Sequence, residues 1–451
     1  MSDQTPHPSP APDLDPPPAA VPSPSGDRNA LDVLRERGFV QDVTDEQGLR
    51  ELFDAGPVTF YVGFDPTAAS LHIGHLVGIM AMAHLKRLGH RPLALAGGAT
   101  GRIGDPSFRD AERELLDDDA LERNLAGIRT QLDRAIGFED GNGQLVDNFE
   151  WTRELSALAF LRDVGKFFSV NQMIARESVR KRLTEREQGI SYTEFSYQLL
   201  QAYDFSVLAQ QYGCRLQGGG SDQWGNITAG VDLTRRLHGI PVFGMVWPLI
   251  TRSDGRKFSK SDGTAIWLDP ELTSPYAYYQ WFLNVPDADV IRFLKLFTFV
   301  EVDEIADLER QHGDDPARRV AHRVLAREAT RVVHGDAGVE AAERATGVLF
   351  GDEPFAGLDD ATLSAAFEEA PSVVLTRTRL DEGLGLLELL TEVGAAASNG
   401  EARRLVQQGA VRVNNAVVED ARSSVGPDDL ASERTLVVRV GKKRYFLARF
   451  H

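Results

Sequence analysis

The string Leu71-His72-Ile73-Gly74-His75-Leu76 sets two imidazoles three residues apart with a glycine between them. On a helix that spacing puts both rings on one face, and the absent side chain at Gly74 lets a flat ligand approach the backbone. The start of a helix adds unsatisfied N–H groups and partial positive charge, which suit phosphate. Much later in the chain, Lys257-Phe258-Ser259-Lys260-Ser261 carries two ammonium groups, each a mobile point charge for a polyphosphate. Neither string decides alone. Paired histidines fit a satisfied surface or core as well as a ligand site, and a lysine loop reads more readily as a solvated basic segment. Together in one chain they favour a shared polyphosphate ligand.

The elements that must position these strings read as strand, glycine loop, helix. Val58 to Gly63 is a β-rich run ended by Asp65, Pro66 and Thr67, and a helix is expected after Ser70, taken as its cap. Leu93 to Ala96 feeds the glycine-rich stretch Gly97 to Asp105, Cys214 to Gln217 feeds Gly218 to Asn226, and Val242 to Ile250 precedes the lysines. That rhythm predicts a Rossmann-like, doubly wound α/β domain binding ligands at the carboxyl ends of its strands. From about Pro275 to Phe350 the apolar period is helical, as in Val290, Ile291, Phe293, Leu294, Leu296 and Phe297. A small α+β domain closes the chain, with a basic helix carrying Arg403 and Arg404, a turn at Gly409 and a strand from Val411 to Val413. The expected boundaries are a disordered proline-rich tail at 1–28, the Rossmann-like domain at 29–248, a lysine-bearing connector at 249–274, a helical domain at 275–350, a linker at 351–383 and the terminal domain at 384–451.

Composition bounds the function. The chain has 451 residues, 42% hydrophobic and 26% charged, which excludes wholesale disorder and a collagenous chain. Its net charge of -18 disfavours generic binding to nucleic acid or anionic lipid, so any RNA contact must be local. The last 51 residues reverse the sign, with ten basic against six acidic side chains. A lone cysteine, Cys214, fits a reducing compartment, and no apolar run is long enough to span a membrane. Residues 1 to 26 hold nine of the 22 prolines and neither lysine nor arginine, which matches no secretory or transit signal, so a cytoplasmic location is expected.

The paired motifs, together with YVGFDPTAASLHIGHL, GGATGRIGDPS, TEFSYQLLQAYDF and GGSDQWGNI in that order, resemble the bacterial tyrosyl-tRNA synthetases among the class I aminoacyl-tRNA synthetases. The resemblance runs from about residue 30 to the end. Tryptophanyl-tRNA synthetases share the catalytic fold but lack the basic terminal module, which is similar to a small RNA-binding module of ribosomal proteins. The resemblance implies a homodimer that activates L-tyrosine with ATP, accompanied by Mg2+, releases pyrophosphate, and passes the tyrosyl group to tRNA(Tyr) with release of AMP.

It also implies roles, residue by residue. Thr67 and His72 would meet the γ-phosphate, with His75 in the same motif, while Lys257 and Lys260 close over the triphosphate. Gly63, Asp65, Gly74, His75, Asp222 and Gln223 would hold the nucleoside side of ATP, Asp222 by accepting from ribose hydroxyls. Tyr61 and Asp204 would read the phenolic hydroxyl of tyrosine, and Asp105, Tyr197 and Gln201, with Gln223, its ammonium end. Arg109 and Arg113 match a mobile basic loop, though ordinary surface arginines fit equally. Arg403, Arg404, Arg412, Lys442 and Lys443 are the RNA-binding candidates, and no metal-ligand set is expected in the protein itself. Val62 departs from the cysteine that well-studied members carry near the ribose, and Gly78 likewise offers no polar side chain. Two rival readings keep the fold: an inactive paralogue that only binds RNA, and a tyrosine-activating enzyme with an acceptor other than tRNA.

Overall fold

The computed structural model describes residues 28–107, 116–184, 189–250, 265–350, 355, 358–367, 370–441 and 444–451. Internal packing divides the chain into two compact units, one formed by residues up to Leu268 with Pro286–Ala321, the other by Asp269–Val285 with His322–His451.

The first unit is built on a six-stranded sheet of β1 (Asp42–Val43), β2 (Thr59–Phe64), β3 (Arg91–Ala96), β4 (Gln144–Asp147), β5 (Cys214–Gly220) and β6 (Phe243–Trp247), in the order β1-β6-β5-β2-β3-β4. All neighbours are parallel except the edge strand β1, which runs against β6. The chain leaves β2 toward β3 on one side and returns as β5 on the other, so the strand order reverses at β2 and opens a crevice at the carboxyl ends. Tyr61 stands beside Leu93 on one flank and Gln217 on the other.

Helices cover both faces, as a parallel sheet requires. The helix Tyr192–Gln211 is capped by Ser191 and packs Phe205, Leu208 and Ala209 against Tyr61, Leu93, Leu95 and Val146 of the strands. The helix Trp224–His238 follows β5 and ends at Gly239 in the left-handed conformation (φ 66°). Arg37, buried, donates to the carbonyls of Lys295, Thr298 and Val300 and so satisfies the open end of the helix Asp287–Phe297. Desolvation lowers the pKa of that guanidinium from its ordinary value.

In the second unit, the helix Pro275–Leu283 and the stretch from His322 to Phe350, broken at Gly335 (φ 69°), pack with the terminal region through Tyr276, Ala345, Leu349, Leu363 and Val437. A five-stranded sheet runs in the order Ala416–Val417, Val411–Val413, Thr435–Val440, Arg444–Phe450, Ser372–Leu375, with the last pair parallel. Asn414 and Asn415, at φ 45° and 68°, form the two-residue turn of its outer hairpin. Residues 372–375 thus belong to the terminal sheet although they fall in the stretch read as linker. The acidic run before them masks a four-residue strand too short to stand out by period. No helix among the described residues is long and apolar enough to cross a membrane.

Candidate active site

A cavity of about 420 Å³ opens at the carboxyl ends of the strands, within the range of small-molecule sites. Tyr61, Gly63, Asp65, Thr67, His72, Gly74, His75, Asp105, Tyr197, Gln201, Asp204, Asp222 and Gln223 all line it.

Among its buried polar groups is Asp204, 2% exposed on the helix Tyr192–Gln211. Asn148 Nδ2 donates to one carboxylate oxygen at 2.9 Å and Trp151 Nε1 to the other at 2.8 Å. Burial nonetheless dominates these two stabilising bonds and pushes the carboxyl up to about 7. Tyr61, 1% exposed, presents a hydroxyl with no hydrogen-bond partner among the described residues. Burial and the Asp204 charge raise its pKa well above the ordinary phenol value, which keeps the proton on oxygen. The amide oxygen of Gln201 is likewise buried without a partner among the described residues.

A hydrogen-bonded chain extends from this floor. Asn148 Nδ2 also donates to Thr100 Oγ1 at 3.0 Å, Thr100 donates to one oxygen of Asp65 at 2.7 Å, and the Tyr197 hydroxyl donates to the other at 2.7 Å. Asn148 is anchored in turn by the backbone N–H of Ala99 at 2.7 Å. Close approach explains one residue of the glycine-rich loop: a Cβ on Gly97 would fall 2.2 Å from the Asp65 carboxylate. On another wall Gln223 Nε2 donates to Asp105 at 2.6 Å, and Asp105 accepts from the Ser107 N–H through its other oxygen at 2.9 Å.

The histidine motif sits at a helix start, but the expected cap is displaced. The helix runs Ile73–Arg87 and its cap is His72, whose Nδ1 accepts from the Gly74 N–H at 3.0 Å. His75 Nδ1 accepts from the His72 N–H at 3.2 Å, closing the cap reciprocally. Ser70 instead donates to the Leu71 carbonyl at 2.7 Å and meets the Gln131 amide. Gly74 leaves room for the His72 ring, since a Cβ there would stand 2.8 Å from its Cε1. Beyond the lysine segment, Trp267 bridges His72 and the Ile73 N–H donates to the Ile266 carbonyl at 2.9 Å. Ile250, just before that segment, lines the cavity. Lys257 and Lys260 themselves, like Arg109, Arg113, Lys442 and Lys443, lie outside the described residues. Arg403, Arg404 and Arg412 are in the second unit; the first two are exposed on the helix Asn399–Gln407, opposite buried Ala402 and Val406. Arg412 donates to the Asn415 carbonyl at 3.1 Å.

Three residues of the site escape sequence reasoning. Asn148 and Trp151 belong to no motif, and their partner Asp204 lies more than fifty residues away, while Thr100 sits inside the glycine-rich stretch with no role read for it and meets Asn148 and Asp65. The one signal they carry is position, since Thr100 and Asn148 both follow closely on the carboxyl ends of strands, β3 and β4.

A doubly wound sheet, a capped His-x-Gly-His helix start and a cavity at the strand ends are the features of a class I aminoacyl-tRNA synthetase. Residues 54–351 match the family described as tRNA synthetases class I (W and Y), and residues 362–448 match the tyrosine–tRNA ligase SYY-like C-terminal domain. A tyrosine–tRNA ligase of Rhodopirellula baltica is 49% identical over 92% of this chain and 95% of its own, and one of Escherichia coli 45% identical over 93% and 98%. Among solved structures, a C-terminally truncated mitochondrial tyrosyl-tRNA synthetase of Aspergillus nidulans superposes with a TM-score of 0.65 at 34% identity, over 72% of this chain and 95% of its own. The chain belongs to the tyrosine–tRNA ligase family.

Proposed function

We propose that this protein condenses L-tyrosine with ATP to tyrosyl-adenylate and transfers the tyrosyl group to tRNA(Tyr), releasing AMP. The observation that carries the reading is the floor of the cavity, where a buried carboxylate and a protonated phenol converge. There the substrate hydroxyl donates to Asp204 and accepts from Tyr61. Tyr197, Gln201, Asp105 and Gln223 hold the ammonium group, which leaves the substrate carboxylate directed toward the nucleotide.

That carboxylate is the nucleophile, so no side chain need become one. Its oxygen forms a bond to the α-phosphorus as the bond to the pyrophosphate oxygen breaks. Catalysis rests on alignment and on charge placed where the leaving group develops negative charge. Thr67, and His72 at the helix start, meet the outer phosphates, joined by Lys257 and Lys260, while His75 faces the nucleoside side. Gly63, Gly74, Asp65 and Asp222 seat the nucleoside. Magnesium arrives with ATP as part of the substrate.

The protein acts as a homodimer in the cytoplasm. Support for self-association lies in the stretch 158–192, where Leu158 is 82% exposed and Tyr192 69%, with Leu161, Val170 and Ile174 also open to solvent. Sedimentation equilibrium should return twice the chain mass, and Leu158→Asp should shift it toward one; a monomeric wild type at micromolar concentration would refute the dimer.

Tyrosine-dependent ATP–pyrophosphate exchange, followed by charging of bulk tRNA with labelled tyrosine, tests the activity. Exchange without charging would redirect the enzyme to another acceptor, and pure folded protein that does neither would leave only RNA binding.

A further inference from the structure

Opposite the tyrosine floor, the cavity has a wall made by a residue that no motif includes. Trp247 ends β6 and is 6% exposed, lining the cavity with Val62, Gly78 and Gly218. Its six-membered ring lies against both glycines. A Cβ on Gly218 would stand 2.7 Å from Cζ3 and 3.0 Å from Cη2, and one on Gly78 would stand 3.0 Å from Cζ2. Val62 closes the remaining side, its methyls 3.6 Å from the Gly78 position and 3.4 Å from the Gly218 position. The size of the indole therefore dictates the two glycines.

Sheet order fixes where this wall faces. Gly218 and Trp247 lie on β5 and β6, to one side of β2, whereas Asn148 and Thr100, which organise the Asp204 floor, follow β4 and β3 on the other. The wall adjoins Gly219, Gly220 and Asp222 and the helix that begins at Ile73. Val62, Gly78 and Gly218 offer no side-chain hydrogen bond. An aromatic surface bounded by glycine backbone selects a planar heterocycle, not an amino acid whose polar groups are met at the opposite end.

Resting on the tyrosine-activating reading above, we infer that Trp247 contacts the adenosine of ATP and determines nucleotide affinity. Its indole supplies by apolar contact what Val62 and Gly78 cannot supply by hydrogen bonds, and glycine at position 78 leaves the ring its room.

Km values for ATP and for tyrosine, taken separately in pyrophosphate exchange, test this. Trp247→Val should raise the Km for ATP by about tenfold, in the range expected for removing one base–aromatic stacking interaction, with the Km for tyrosine within about twofold. Trp247→Phe should recover most of the loss. Gly78→Ala alone should raise the Km for ATP by displacing the ring, yet add little in the Trp247→Val background. Tyrosine binding by equilibrium dialysis without ATP establishes that each variant is folded, and Trp247→Phe carries the test should the valine variant fail to fold. An unchanged Km for ATP, or an equal rise in both Km values, overturns the Trp247 role alone. A wild type without tyrosine-dependent exchange overturns the activity and this role with it.

Discussion

Asp204 is a carboxyl whose surroundings disagree about its charge. Two donated hydrogen bonds favour the anion, burial opposes it more strongly, and the group is left near 7. The ionised form is the stronger acceptor for a tyrosine hydroxyl, so kcat/Km for tyrosine should rise with pH through about 7 and level off above it, while the Km for ATP stays flat. Trp151→Phe removes one stabilising bond to the anion and should move that midpoint upward. A pH-independent kcat/Km for tyrosine between pH 6 and 8 would exclude this account. Linkage gives the matching effect on stability. The folded carboxyl holds its proton where the unfolded chain has already released it, so this group's contribution is present at acid pH and declines as pH rises from about 4 to 7. Asp204→Asn should therefore gain steadily on the wild type in denaturant unfolding as pH rises from about 4 to 7, and hold that gain at pH 8. Discrimination against phenylalanine follows the same charge. Above pH 7 the analogue strands a buried anion, a penalty for which tyrosyl-tRNA synthetases are themselves the standard case.

Helix ends and strand ends are where elements meet chemistry, and they divide what sequence reveals from what it conceals. β2, β3 and β6 are legible within a few residues because each is an apolar run stopped by glycine, proline or a polar turn, whereas β5 carries Arg215 and Gln217 and runs on through the glycines to Gly220. The start of the helix Ile73–Arg87 is not, because histidine is an unusual cap and Ser70 two residues earlier is a favoured one. The distinction matters for the motif, since each imidazole spends Nδ1 on the backbone and turns its other nitrogen away from the cap. His72→Ala should thus cost about 1 kcal/mol of stability through removal of the cap in addition to its loss of exchange rate. His72→Asn restores a cap without the ring, so it should recover the melting temperature but not kcat. Recovery of both would assign His72 to folding alone. The supporting residues stay hidden for a different reason. Asn148 and Trp151 act through a residue far along the chain, and only the packing of the helix Tyr192–Gln211 on β3 and β4 brings them to it.

Across the whole chain, a net charge of -18 coexists with a terminal segment in which ten basic side chains face six acidic ones. An acidic protein that must receive a polyanion gains from confining attraction to the intended surface, because like charge elsewhere disfavours misplaced encounters. The second unit has the means to do so. Ala402 and Val406 bury one face of the helix Asn399–Gln407, and Arg403 and Arg404 remain exposed on the other. If those arginines meet RNA phosphates, each phosphate they neutralise releases counterions and steepens the dependence of binding on salt. Arg403→Ala with Arg404→Ala should weaken tRNA(Tyr) binding at low salt and lower the slope of log K against log salt by about one for each phosphate no longer neutralised. Tyrosine-dependent pyrophosphate exchange, carried out in the first unit without tRNA, should be unchanged. An unaltered slope would move the RNA-binding surface off this helix, and a parallel loss of exchange would show damage beyond RNA binding.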